Sequence, residues 1–245
     1  MIAEFTDPRL VAVYDTVNAY RPGTQPDFYA GLAAELGAAT IVDLGCGTGI
    51  VTCELAACGH HVVGVEPAPL MLARARARPF GDRVQWVAGG ASEIGTLGAG
   101  LAIMSGHVAQ FFVNDDEWQL ALAAMHRALA PGGHLAFESR NPDAREWERW
   151  TADARTVVVD PVAGRIETWT EVVGRRPGAL SCVNHYVFED AGIALESACE
   201  LRFRTLAELS ASLERAGFAI ARVHGDWDGR PVAPDAPELV VVAVR

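Results

Sequence analysis

The sequence predicts an α/β fold: a doubly wound, mostly parallel sheet that closes with a reversed hairpin and carries an inserted antiparallel β meander. Three observations support this fold class. Short apolar segments alternate with helical patterns through residue 137, which is typical of a parallel sheet with right-handed crossovers. A glycine-rich segment at residues 45–49 follows the first apolar segment. Beyond residue 150, turn residues separate several strand-like segments that have no helices between them.

The first part of the chain contains the expected parallel sheet. Short apolar segments bounded by turn residues predict strands at residues 40–44, 61–65, 84–87, 101–104 and 135–137. Helical spacing between them predicts helices at residues 49–58, 69–78 and 118–129. We expect Asp115 or Asp116 to cap the last of these helices, and the Pro-Gly-Gly sequence at residues 131–133 to end it.

The second part of the chain contains the expected meander and the closing hairpin. Turn residues separate strand-like segments at residues 156–159, 165–173, 180–188 and 195–203. Thr205 and Glu208 form a capping-box pair that opens another helix, and the last strands are expected at residues 218–223 and 239–244. We therefore expect one domain over residues 1–245, with a helical lid at residues 1–38 and the antiparallel insert at residues 151–204.

Composition limits the partners of the chain. Of its 245 residues, 50% are hydrophobic and 21% are charged, as in ordinary globular proteins, and no apolar run reaches the ~20 residues of a membrane helix. The net charge is −11 and all 20 basic residues are arginine, which disfavours nucleic acids and membranes as partners. The N-terminus lacks a secretory pattern, so we expect a cytoplasmic protein with a small-molecule partner. The five scattered cysteines predict buried thiols, and no metal site is expected.

A glycine-rich turn marks the candidate ligand site. Gly45, Gly47 and Gly49 alternate where the first strand passes into a helix, and residues without a Cβ atom let the backbone approach a ligand closely. In a doubly wound sheet, ligands bind at the carboxyl ends of the strands. Glu66 ends the second strand, where a carboxylate can accept hydrogen bonds from both hydroxyls of a ribose. The sequence therefore predicts a nucleoside-containing cofactor.

Two cofactor classes fit this glycine turn and this acid. Dinucleotide enzymes carry a third glycine where this chain has Ile50. Asp43, just before the turn, would repel a pyrophosphate but attract an ammonium group. The sequence therefore favours a cofactor with a cationic amino-acid end, and an NAD-type oxidoreductase stays open as the alternative.

Several segments resemble the motifs of class I S-adenosylmethionine-dependent methyltransferases. Residues 42–49 (VDLGCGTG) resemble motif I of that family, and residues 66–71 (EPAPLM) are similar to its second motif, an acid followed five residues later by methionine. Residues 129–135 (LAPGGHL) resemble the segment before its fifth strand, and residues 218–245 resemble its reversed last hairpin. The segments that look like a bacterial small-molecule branch are residues 106–110, 138–142 and 235–239.

The resemblance covers essentially the whole chain and implies a Rossmann-like fold. It implies an enzyme that transfers a methyl group from S-adenosyl-L-methionine to a small-molecule acceptor by in-line displacement, with S-adenosyl-L-homocysteine as the product. The acceptor atom (O, N, C or S), the need for a general base and the oligomeric state stay open, because fold does not determine function. A second alternative is a non-catalytic protein of this fold that binds the cofactor and acts through partners.

The resemblance also assigns residues to the cofactor. Gly45, Cys46 and Gly47 are expected to line its methionine end, Glu66 to hold the ribose, and Pro67 and Met71 to pack on the adenine. Two departures stand out: Ala68 cannot cap the following helix, and Gly90 stands where the family often has Asp. The complete set of expected cofactor residues is Tyr14, Arg21, Asp43, Gly45, Cys46, Gly47, Glu66, Pro67, Met71, Ala91, Ser92, Gly106 and His107.

The acceptor is expected to lie beyond the methyl group, under the antiparallel insert. The candidate bases are His107 and His185, because imidazole titrates near physiological pH. The expected acceptor residues are Tyr20, Gln110, Arg140, Trp169 and Tyr186. Phe188 and Arg204 are further candidate walls, although strand alternation lets only half of the insert side chains face inward.

Overall fold

The computed structural model describes residues 2–19 and 23–245. The helices in this part of the chain are α1 (Ala3–Thr6), α2 (Pro8–Val17), α3 (Gln25–Leu36), α4 (Ile50–Ala57), α5 (Pro69–Ala77), α6 (Val108–Phe111), α7 (Asp115–Ala128) and α8 (Leu206–Arg215). The strands are β1 (Thr40–Leu44), β2 (His61–Glu66), β3 (Gln85–Ala88), β4 (Ala99–Met104), β5 (Leu129–Arg140), β6 (Thr156–Asp160), β7 (Gly164–Arg176), β8 (Ala179–Phe188), β9 (Ile193–Arg202), β10 (Ala219–His224) and β11 (Glu238–Val244).

The larger sheet confirms the predicted fold class. Its seven strands lie in the order β10-β11-β5-β4-β1-β2-β3. The five strands from β3 to β5 are parallel, whereas β11 runs antiparallel to both of its neighbours. Strands buried on both faces need almost continuous apolar sequence, and β11 has it: only its last residue is more than slightly exposed. Because β11 is reversed, its first residue lies at the edge of the sheet where the parallel strands end.

The smaller sheet contains β6, β7, β8 and β9 in that order, all antiparallel, as the predicted meander requires. One face of it packs against α2, which we group with α1 as the lid helices. Leu10 and Val13 of α2 form one apolar cluster with Tyr186 and Phe188 of β8. The lid helices also contact α5, on the side of the larger sheet. They therefore lie between the two sheets.

The predicted cap of α7 was wrong by one residue. The N-cap is Asn114, whose side chain accepts a hydrogen bond from the backbone N–H of Asp116, and Asp115 is already helical. All three residues can cap a helix, so the sequence pattern did not separate them. The capping box of Thr205 and Glu208 is confirmed at the start of α8.

The predicted end of α7 was also wrong. The helix ends at Ala128, and the Pro-Gly-Gly segment belongs to β5. Leu129 pairs with Ala99 of β4, and the ladder resumes after an irregularity. Gly133 makes this approach possible, because a Cβ atom there would lie 2.9 Å from the carbonyl oxygen of Ala99.

The prediction of buried thiols was wrong for two of the five cysteines. Cys58 is exposed and Cys199 is half-buried, and all five thiols are free. Cys58 lies where α4 ends, and Cys199 lies in β9 opposite the buried Cys182. Among the described residues, no group of three His, Cys, Asp or Glu side chains is placed to hold a metal ion. In the same residues, no helix has the length and apolar character that crossing a membrane requires.

Candidate active site

The glycine turn lies between β1 and α4, as predicted. Gly45, Gly47 and Gly49 all have positive φ angles, of 75°, 56° and 78°. These values favour glycine because other residues clash with their own backbone there. Gly45 is also constrained from outside, since a Cβ atom would lie 2.6 Å from a methyl group of Val108. The turn can therefore take this shape only with these small residues.

Asp43 lies directly beneath this turn and is fully buried. Its Oδ2 accepts a hydrogen bond of 2.7 Å from the hydroxyl of Thr52, while its Oδ1 has no hydrogen-bond partner among the described residues. Burial raises the pKa of Asp43 to about 7. A buried carboxylate with one free oxygen fits a ligand that brings a cationic group, because the cation offsets the loss of solvation. The ammonium group of S-adenosylmethionine meets this requirement.

Glu66 ends β2 beside the turn and is 7% exposed. One carboxylate oxygen accepts from the backbone N–H of Gly47 at 3.0 Å, and the other accepts from the N–H of Ala68 at 2.8 Å. Burial raises the pKa of this carboxyl group. Each oxygen has a second lone pair, so the group can still accept from two ribose hydroxyls. The bond from Ala68 also gives its backbone N–H an acceptor at the start of α5, where we expected no side-chain cap.

The expected adenine side of the site lies under the lid helices. Met71 is 1% exposed and packs with Val11 of α2, and Tyr14 packs against the same cluster. Desolvation raises the pKa of the Tyr14 hydroxyl, which keeps it neutral. Ala91 and Ser92 begin a short 3-10 helix after β3, and the Ser92 hydroxyl donates to Glu93.

The remaining expected cofactor residues include one that is buried and one that is exposed. Cys46 is buried in the turn, and burial raises the pKa of its thiol. Pro67 joins Glu66 to the start of α5 and is exposed. Tyr20 and Arg21, expected at the acceptor and at the cofactor carboxylate, lie outside the described residues.

A second group of polar residues lies at the ends of β4 and β5. Glu138 is fully buried, and one of its oxygens accepts from the backbone N–H groups of Gly106 and His107, the latter at 2.9 Å. Its other oxygen accepts from the hydroxyl of Tyr29 in α3. Burial raises the pKa values of both Glu138 and Tyr29. Glu138 therefore fixes the loop that follows β4.

His107 is the N-cap residue just before α6 and has a positive φ of 60°, a conformation that is unusual for a residue with a Cβ atom. Its Nε2 lies 2.9 and 3.1 Å from the two carboxylate oxygens of Glu238, the first residue of β11. A carboxylate can only accept, so in neutral His107 the proton belongs on Nε2 and the lone pair on Nδ1. The imidazole is 15% exposed. This arrangement can accept a proton at Nδ1 and stabilise the resulting cation.

Gln110 and Arg140 lie close together, and each already has a protein partner. Gln110 is fully buried, and its side-chain oxygen accepts from the Arg140 guanidinium at 2.9 Å. The same guanidinium lies 3.3 Å from Glu146 and 5.3 Å from the ring centroid of Trp150. These contacts fix Arg140 at the end of β5, next to Glu238 in the sheet register.

The insert residues divide between two faces. Tyr186 and Phe188 lie on the face of the smaller sheet that packs on the lid helices. Trp169 and His185 lie on the opposite face, where their rings stack at 4.6 Å. His185 lies 3.1 Å from Glu171 and 3.3 Å from Glu196. This face turns away from the lid helices. His107 is therefore the better candidate base of the two histidines.

Arg204, the remaining candidate for the wall of the acceptor site, is 3% exposed and hydrogen-bonded to other residues of the protein. It donates to the carbonyl oxygen of Phe112 and to Asp115, each at 2.8 Å, and lies over the ring of Trp118. Its contacts join the end of the insert to α7.

Sequence reasoning missed four residues of this region: Tyr29, Glu138, Glu238 and Asp15. Glu138 carried a usable signal, because an acid near the end of an otherwise apolar strand needs a reason to be buried. Glu238 carried the same signal at the start of β11. Two surface clefts, of about 440 and 250 Å³, lie elsewhere, beside Asn114 and beside Phe28. The site is therefore described by its polar groups and its backbone geometry.

The fold and this site define an α/β enzyme that binds a nucleoside cofactor with a cationic end. Residues 41–133 match a methyltransferase-domain family. The cypemycin N-terminal methyltransferase of a Streptomyces species is 26% identical over 242 residues, which are 98% of this chain and 97% of that protein. Residues 41–133 thus form a methyltransferase domain, and the chain is similar over nearly its whole length to methyltransferases, which favours S-adenosylmethionine over a dinucleotide as the cofactor.

Two solved structures are similar to this chain over almost their whole length. CalS10, an amino pentose methyltransferase from Micromonospora echinaspora solved with S-adenosylmethionine bound, is 26% identical with a TM-score of 0.72 and covers 95% of this chain and 96% of its own. The CcbJ methyltransferase from Streptomyces caelestis has the same fold, with a TM-score of 0.77 at 24% identity, covering 94% of this chain and 95% of its own.

Proposed function

We propose that this methyltransferase methylates an amine nitrogen of a small acceptor, and that His107, held by Glu238, takes up the acceptor's proton. The observation that carries the proposal is the carboxylate-bound imidazole at the sheet edge where the glycine turn and Glu66 also lie. An amine is protonated near neutral pH and must lose a proton before its lone pair can react. A base is therefore needed, and His107 is suited to that task.

The charge of the site also favours an amine. Asp43, Glu66, Glu138 and Glu238 are all buried near the ends of the parallel strands. An ammonium group beside these carboxyl groups would favour their ionised forms and be attracted by them, whereas a carboxylate acceptor would be repelled. The names of two relatives are compatible with this choice, one an N-terminal methyltransferase and the other an amino pentose methyltransferase.

We propose that three groups around the glycine turn hold the cofactor. Glu66 would accept from the ribose hydroxyls, Asp43 would face the ammonium end, and the backbone of Gly47 would border the methionine chain. When bound, S-adenosylmethionine would supply an electrophilic methyl carbon to the nitrogen lone pair and a neutral thioether as the leaving group. The protein contributes mainly alignment, which can supply several kcal/mol of a barrier and up to ~7–11 in the best cases.

His107 takes up the proton that the acceptor must lose. Nδ1 accepts a proton from the ammonium form of the acceptor, which leaves a neutral amine with a free lone pair. The imidazolium that forms is stabilised by Glu238, because Nε2–H donates to its carboxylate. The backbone contact between His107 and Glu138 keeps the ring at the end of β4 while the charge changes.

The acceptor class can be tested with paired compounds. The purified protein is incubated with S-adenosylmethionine and a panel of amino sugars and peptides with free N-termini, each beside its hydroxyl or N-acetylated counterpart. Mass spectrometry then detects methyl gain. We expect methylation of amines only; methylation of the hydroxyl or acetylated counterparts instead would contradict the proposal.

The role of His107 can be tested with His107→Gln, using His61→Gln as the control. His61 is an exposed histidine at the opposite end of β2 from Glu66. We expect His107→Gln to lower kcat by ~10²-fold and to remove the acidic limb of the kcat pH profile, as loss of a general base does. The control should match the wild type, and an unchanged pH profile in His107→Gln would remove His107 from the mechanism.

A further inference from the structure

One carboxylate connects the lid helices to the glycine turn. Asp15, near the end of α2, accepts from the Thr48 hydroxyl with Oδ1 at 2.6 Å. Its Oδ2 accepts from the Arg78 guanidinium at 2.5 Å and lies 3.3 Å from Arg74. Thr48 stands between Gly47 and Gly49 and is 2% exposed. A single side chain of the lid therefore bonds directly to the turn that borders the cofactor.

The two arginines extend this contact along α5. Arg78 also donates to the backbone carbonyl of Thr48 at 2.9 Å, and Arg74 donates to the carbonyl of Ala12 in α2 at 3.0 Å. Met71 and Arg74 lie three residues apart on one face of α5, and Arg78 follows directly after the last residue of the helix. Met71 on that face packs with Val11 of the lid helices, and Arg78 just beyond the helix bonds to the glycine turn. The adenine side of the cofactor site and the Asp15 contact are thus parts of one surface.

The other side of the lid helices is bound to the smaller sheet. Thr16, the residue after Asp15, donates to Asp160 of β6 at 2.6 Å. Glu4 of α1 accepts from Asn184 of β8 at 3.0 Å, and its backbone N–H donates to Ser197 of β9. The lid helices therefore contact the cofactor turn with one side and the acceptor-covering sheet with the other.

We propose that Asp15 is a positioning residue that couples docking of the lid helices to cofactor binding. The geometry points to this role because Asp15 contacts the turn through Thr48, without being part of the turn. If docking and binding are coupled, each favours the other to the same extent. The cofactor then orders the lid helices, and the lid helices in turn fix one side of the acceptor site. This inference rests on cofactor binding and is independent of the acceptor's identity.

Asp15→Asn is the decisive variant, because it keeps the shape of the side chain and removes the charge that holds both arginines. The matched control is Asp7→Asn. Asp7 also lies in the lid and pairs with an arginine, at 2.6 Å from Arg9, and its side chain is 23% exposed against 25% for Asp15. Asp7 caps the start of α2, and asparagine caps equally well.

Two readouts are needed, both without an acceptor. Calorimetric titration with S-adenosylhomocysteine measures affinity, and amide hydrogen exchange with and without this ligand measures the order of residues 8–17. We expect Asp15→Asn to weaken binding by ~10-fold and to reduce the exchange protection that saturating ligand adds in α2. Asp7→Asn should match the wild type in both.

Wild-type affinity in Asp15→Asn overturns the proposal. So does weakened binding with unchanged lid protection, since Asp15 would then act only on the turn. If Asp15→Asn fails to fold, Arg74→Gln replaces it, with a side chain 38% exposed. Arg74→Gln is expected to weaken binding by ~3-fold with the same loss of protection, and no change in either readout again overturns the proposal. Failure of the amine proposal would leave all of these measurements unaffected.

Discussion

Replacing Asp43 with asparagine should stabilise the protein without cofactor and weaken cofactor binding. Burial raises the pKa of this carboxyl group from its ordinary 3.8 to about 7. One unit of pKa corresponds to ~1.4 kcal/mol, so keeping Asp43 charged above pH 7 costs the folded state about 4 kcal/mol relative to the unfolded chain. Asparagine removes that cost and can still bond to Thr52.

The sign of the pH dependence follows from the raised pKa. The folded state binds a proton at Asp43 that the unfolded chain has already released, so the free energy of unfolding falls as pH rises from about 4 to about 7. Asp43→Asn lacks this contribution. The difference between the two proteins isolates Asp43 from the other buried acids, because those acids titrate in both.

Denaturant unfolding without ligand, at pH 5 and pH 8, measures the first effect. The stability of Asp43→Asn relative to the wild type should be greater at pH 8 than at pH 5, by up to ~3 kcal/mol. Calorimetry with S-adenosylhomocysteine at pH 8 measures the second effect, expected as a loss of ~10–100-fold. Equal pH dependence of stability in both proteins, or full affinity in the variant, would refute the reasoning.

Three further substitutions test separate parts of the site. Glu66→Ala should weaken S-adenosylhomocysteine binding by ~100-fold, since two hydrogen bonds to a charged acceptor contribute ~1.5 kcal/mol each; unchanged affinity in calorimetry would displace the ribose from Glu66. Tyr29→Phe should lower the free energy of unfolding by ~1–3 kcal/mol, because Glu138 loses a buried donor; denaturant midpoints measure this, and a neutral result would mean that water replaces the hydroxyl. His185→Gln should change kcat by less than ~twofold, because His185 lies on the outer face of the smaller sheet; a large loss would restore it as a base.

The sequence predicted those parts of the site whose chemistry is local. Gly45, Gly47 and Gly49 need positive φ angles at a strand-to-helix turn, and Glu66 ends the next strand, so short segments contain the whole signal. Asp43 in the same segment favoured a cofactor with a cationic end, and the resemblance to the family then implied S-adenosylmethionine. Resemblance to the family added the residues around Met71.

The remaining parts of the site depend on distant segments that meet only after folding. Glu138 joins Tyr29 and the loop at His107, which lie 109 and 31 residues away along the chain. No periodicity in a single sequence reports such a meeting. The faces of the insert were ambiguous for a different reason: a shift of one residue exchanges Trp169 and Tyr186 between the two faces. Only the observed strand register decides between them.

The reversed last strand has a consequence for how the enzyme is made. β11 fills the gap between β5 and β10, and its first residue supplies the carboxylate beside His107. During synthesis, every other group of the site leaves the ribosome before this strand does. A nascent or C-terminally clipped chain therefore has an incomplete sheet and an unsupported imidazole. Methyl transfer should begin only after β11 has left the ribosome and has paired with β5 and β10.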